Sequence, residues 1–102
     1  MEWYHYLNGF LAGAFLANFV PHFVNGISGN RFPTPFSKPH GKGLSSPTLN
    51  VAWALINLLA GYMFFMSAKL SSDNYLSLII FFTGISSISI FSSWTFAKKD
   101  KA

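Results

Sequence analysis

The chain has 102 residues, enough for one domain; 51% are hydrophobic and 19% aromatic, and the charged share of 10% is well under the roughly 25% of a soluble domain. Seven bases against three acids give a net charge of +4, but the bases flank apolar segments, which points to anionic lipid headgroups and away from nucleic acid. The absence of cysteine excludes a disulfide framework, a thiolate metal site and a cysteine nucleophile.

The chain opens on Trp3, Tyr4, His5 and Tyr6, amphipathic rings that suit a membrane–water interface. Glu2 and the lack of an early base argue against a signal peptide. The first predicted span covers residues 7–27, about 31 Å of helix at 1.5 Å per residue, which matches a hydrocarbon core of about 30 Å. Gly9, Gly13 and Ala17 recur at every fourth position and form a small-residue stripe, suited either to close packing within the protomer or to self-association. Asn18, His22 and Asn25 share another face, which must point into protein or water. Pro21 removes a backbone donor in the same third of the helix, so a bend or support from neighbours is expected.

Gly26, Ser28, Gly29 and Asn30 end this span. Residues 28–46 form a basic connection rich in Pro and Gly. It carries Arg31, Lys38 and Lys42 as candidates for lipid headgroups, with Phe32 and Phe36 expected to bury their rings at the same depth. Gly41-Lys42-Gly43 lacks the spacing of a phosphate-binding loop.

Ser46-Pro47 is an N-cap and first-turn signal, and the second predicted span covers 47–68. Asn50 and Asn57 lie seven apart on a face shared with Ala54 and Gly61. A polar turn follows, in which Ser72 or Asp73 is the expected cap of the third span, 74–96. That span holds Gly84 and many hydroxyls, which membrane helices tolerate by bonding to their own carbonyls.

The expected architecture is an all-α integral membrane protein, one domain of three transmembrane helices over 1–102. Six bases fall in the middle connection and the tail, and only Lys69 falls on the other side, so the positive-inside rule predicts an N-terminus outside and a C-terminus in the cytoplasm, in an inner or plasma membrane. No Asp, Glu, Lys or Arg lies within any span, which removes carboxylate acid–base pairs and carboxylate metal sites from the interior and argues against an enzyme. His5 and His40 lie on opposite sides, so one protomer cannot gather a three-histidine metal site; no cofactor or metal is expected.

Counting depth from Ile27 and Pro47 puts Asn18 and Asn57 at about 14 and 15 Å, and His22 and Asn50 at about 8 and 5 Å. The two faces are therefore expected to meet along one seam. No motif identifies an activity. The functional expectation is a self-associating membrane protein of transport or pore type, with Asn18, His22, Asn25, Asn50 and Asn57 as ligand-binding or pore-lining candidates and Gly9, Gly13, Ala17, Gly61 and Gly84 in helix packing. The alternative is a structural or accessory subunit of a larger membrane complex.

Overall fold

The structure, a computed structural model, describes residues 2–39 and 43–100. It is all-helical, with α1 over Trp3–Ile27, α2 over Pro47–Ala68 and α3 over Tyr75–Phe96. All three helices are long and apolar enough to span a membrane.

Each helix end has a local chemical cause. The first helix starts four residues before the expected span, because the Trp3–Tyr6 cluster is itself helical; the Glu2 N–H donates to His5 Nδ1 at 3.1 Å and the His5 N–H to the Glu2 carbonyl at 3.0 Å. At the other end the Asn30 N–H reaches the Asn25 carbonyl at 2.9 Å and the Gly29 N–H reaches Gly26 at 3.1 Å. This is the six-to-one and five-to-two pairing of a Schellman cap, and it requires the left-handed φ of +76° that Gly29 supplies. In α2, the Ser46 hydroxyl accepts from the Leu49 N–H at 3.1 Å and Pro47 occupies the first turn. The cap of α3 is Asn74 and neither Ser72 nor Asp73: its side-chain oxygen accepts from the Ser77 N–H at 3.2 Å, while its amide donates to the Tyr6 hydroxyl at 3.2 Å and ties the turn to the start of α1.

The first helix is the centre. Both α2 and α3 pack along it, α2 antiparallel and α3 parallel, and no close backbone approach joins α2 to α3 among the described residues. The crossing with α3 is reciprocal. Gly13 faces the backbone of Phe81 and Ile85, and Gly84 faces the backbone of Phe10 and Ala14, so each helix presents a missing side chain to the other. Against α2, Gly26 meets Val51 and Pro47, and Gly61 meets the side chain of Leu16. Gly9 lies against Leu70 and Ala68. These glycines are buried inside the protomer, and Ala17 is half-buried beside Pro21 and Ile85. The glycines of both stripes therefore serve packing within one copy.

Polarity runs opposite to that of a water-soluble domain. The buried hydrophobic side chains are Ala12, Phe32, Ala54 and Ala68, whereas His22, Asn50, Asn57 and Ser77 are buried too. Leu59, Met63, Ile79, Phe82 and Phe91 are exposed, which is compatible with a lipid surround. On α3 the Thr83 and Ser89 hydroxyls donate four residues back, to Ile79 and Ile85 at 2.8 and 2.7 Å, and add no polar path.

The described part of the α1–α2 connection folds under the helix ends. Phe32 and Ser45 exchange backbone hydrogen bonds of 3.2 and 3.0 Å, and the Thr34 and Ser45 hydroxyls meet at 2.7 Å. Phe32 is buried against Phe96, with ring centroids 4.5 Å apart, so its ring belongs to the protein interior and not to the lipid boundary expected for it. Phe36 is exposed and packs edge-on to Trp53. Arg31 and Lys38 are exposed, Lys42 lies outside the described residues, and Lys99 sits 5.9 Å above the Phe32 ring. Arg31, Lys38, Lys98 and Lys99 thus occupy one end of the molecule and Lys69 and Asp73 the other, while His40 and Lys101, like Lys42, lie outside the described residues.

Candidate functional site

Antiparallel pairing of α1 and α2 brings together residues 39 and 28 apart in the chain. Asn18 Nδ2 donates to Asn57 Oδ1 at 3.0 Å, and one turn or so nearer the connection His22 Nδ1 lies 2.8 Å from Asn50 Oδ1. Asn57 donates its own amide to the Trp53 carbonyl at 2.8 Å, so both asparagines of the upper pair are engaged. Asn25 does not join the seam. Its amide turns back to the Pro21 carbonyl at 2.7 Å, four residues earlier in its own helix.

Asn50 is the hub of the lower pair. Its Nδ2 donates to the carbonyls of Phe32 at 2.8 Å, Ser46 at 3.0 Å and Ser45 at 3.3 Å, and this fixes which way the amide points. Nδ2 must face those oxygens, so Oδ1 faces the histidine. An amide oxygen only accepts, and Nδ1 of His22 is therefore the donor. In the neutral ring the proton sits on Nδ1 and the lone pair on Nε2. One asparagine thus links α1, α2 and both strands of the connection, and also sets the tautomer of the histidine.

The rest of the His22 environment is aromatic. Phe32, Phe96 and Trp53 stand edge-on to the imidazole, with centroids 5.5, 6.0 and 6.5 Å away. Beside the ring is a cavity of about 220 Å³, walled by Asn18 and His22 from α1, Trp53 from α2, Phe91 and Phe96 from α3, and Pro33, Thr34 and Pro35 from the connection. A larger apolar cleft of about 440 Å³ shares Asn18, Trp53, Phe91 and Phe96 with it and continues along α1 past Phe15, Ala14 and Phe10, between the splayed α2 and α3. The cleft exists because α2 and α3 both rest on α1 without meeting at backbone level.

Of the sequence candidates, the structure assembles Asn18, Asn57, His22 and Asn50 and leaves Asn25 apart. Sequence reasoning missed Trp53, Phe91 and Phe96. Trp53 was within reach, since it lies three residues after Asn50 and four before Asn57 on the same face of α2. The α3 residues had no such signal, because nothing in the sequence sets the register of α3 against α1. Among the described residues no three metal-ligating side chains converge. Comparison with family models, with curated proteins and with solved structures finds no match to this chain.

Proposed function

We propose that the chain is an integral membrane protein of three spans acting as a structural or accessory subunit of a larger membrane assembly, with its N-terminus outside, its C-terminus in the cytoplasm, and Arg31 and Lys38 at the anionic headgroups of the inner leaflet. The observation that carries the accessory role is the closed seam. A pore or transport path needs polar groups free to face water or substrate, whereas Asn57 and Asn50 are engaged at both ends of their amides within a single copy, and Asn18 and His22 each spend one hydrogen bond on them. The broad exposed apolar faces of α2 and α3 then serve contact with lipid and with partner helices.

Reconstitution separates the two classes. The purified chain in liposomes is expected to pass no more potassium or small solute than empty vesicles, and in native membranes it should migrate in an assembly heavier than any formed by the chain alone. Flux by the isolated chain that falls in Asn18→Leu would overturn the accessory reading and restore the transport one. Transport by a self-associated form is the second reading, supported by Asn18 and His22 bordering a cleft that one copy leaves unfilled.

A further inference from the structure

The two nitrogens of the His22 ring are used unequally. Nδ1 is held by Asn50, but Nε2 has no hydrogen-bond partner among the described residues, although the side chain is only 2% exposed. The indole N–H of Trp53 is also without an acceptor, but it is shut off from this space, although its ring lines the cavity. An acceptor left open beside the cavity calls for a ligand that donates, and a hydroxyl group does so.

Shape narrows the ligand further. The cavity is about 220 Å³ and walled mainly by Trp53, Phe91, Phe96 and two prolines. An apolar cavity of about 150 Å³ admits benzene, so this one has room for a substituted six-membered ring, which the edge-on aromatic walls favour over an aliphatic head. The cavity is not closed at its far side but runs into the cleft between α2 and α3. From His22 to Phe10 that path follows α1 for twelve residues, about 18 Å, and is lined mainly by apolar side chains, with Asn18, Asn57 and Ser92 among them, a length suited to a hydrocarbon tail.

We propose that this cavity binds a quinol-type lipid, its ring hydroxyl donating to His22 Nε2 and its apolar tail lying in the cleft between α2 and α3. The oxidised quinone fits less well, because its carbonyl oxygens only accept and would face the Nε2 lone pair. The proposal concerns binding alone and shares with the accessory reading only the membrane location. A subunit that docks on a larger assembly and a subunit that holds a lipid are compatible.

The test uses the full chain in nanodiscs, with incorporation verified first, so that failure to enter lipid is distinguished from failure to bind. Histidine labelled with nitrogen-15 reports both ring nitrogens of His22. The free protein should show the Nδ1–H tautomer. Decyl-benzoquinol should then shift Nε2 saturably toward a hydrogen-bonded position, and decyl-benzoquinone should not. An Nε2–H tautomer in the free protein, no shift with the quinol, or an equal shift with the quinone would each overturn the proposal.

A second variant avoids the histidine altogether. Ala14→Phe fills the cleft eight residues from His22 and should weaken the decyl probe by about tenfold or more, while trimethylhydroquinone, which has no tail, binds as it does to the unaltered chain. Unchanged affinity for the tailed probe would also overturn it.

Discussion

Gly84→Ala tests whether the α1–α3 crossing is as close as the structure has it. A Cβ added at position 84 would overlap the carbonyl oxygen of Phe10 and sit 3.0 Å from its carbon and 3.2 Å from the Ala14 nitrogen. The overlap with the oxygen sets the displacement, so the helices must separate by about 1 Å, and a gap of that size forfeits about half of each dispersion contact along the seam. The obstacle is backbone and cannot rotate away. Among the described residues α3 has no close backbone approach to α2 and meets it through side chains such as Phe81 against Phe65, so little on its other side makes up the loss. Over-packing of this kind typically costs 1–3 kcal/mol, and about 2 kcal/mol is expected here. Reversible unfolding in bicelles, read by steric trapping, measures it. Ser87→Ala, an exposed change three residues on, is the control and should stay within about 0.5 kcal/mol. If Gly84→Ala unfolds as the control does, the close crossing is wrong.

Three further outcomes follow from single residues. Asn50→Leu strands His22 Nδ1 and frees the connection from α2, so it should destabilise by about 2 kcal/mol, against about 0.6 kcal/mol for Asn57→Leu, which breaks one pair; equal losses in the same unfolding assay would contradict the hub role of Asn50. Lys69 closes α2 with a left-handed φ of 52°, and Lys69→Gly should raise stability by about 0.5–1 kcal/mol, whereas a loss would show that the lysine side chain contributes more than its backbone strain. For orientation, single cysteines at 38 and 73 should react oppositely with an impermeant maleimide added outside cells, 73 labelled and 38 protected; the reverse pattern inverts the topology.

The pairing of Asn18 with Asn57 and of His22 with Asn50 was legible because antiparallel helices joined by a connection of known ends share a depth scale, so counting residues from Ile27 and Pro47 aligns them. Helix ends were legible wherever the signal is local, as at Ser46-Pro47 and at Gly29. The start of α1 was not, since Trp3 to Tyr6 suit an interface whether or not they are helical. The glycines left two readings open for a different reason. Their spacing states that something approaches closely, but what approaches Gly13 is Ile85, seventy-two positions later, and no local pattern says whether a neighbour comes from the same copy or another. Phe32 is similar: a phenylalanine beside an arginine reads as interfacial until the connection folds it onto Phe96.

The packing of α3 and the cavity beside His22 depend on one another. At one end α3 is tied to α1 by the Asn74–Tyr6 bond, in the middle by the Gly13–Gly84 crossing, and at the other end by Phe96 against Phe32 and the imidazole. Phe91 and Phe96 wall the cavity from this last stretch, so the angle at which α3 leaves the glycine crossing sets how far those rings stand from Trp53 on α2. A rigid crossing therefore holds the cavity open without any α2–α3 backbone contact to prop it. The polar seam does the matching work on the other side: Asn50 fixes the connection, the connection places Pro33 to Pro35 over the cavity, and the same amide turns the histidine so that its free nitrogen is an acceptor. Residues that look like candidates for a water path are thus the frame of a largely apolar cavity, to which His22 presents an acceptor and Asn18 and Thr34 add the other polar walls.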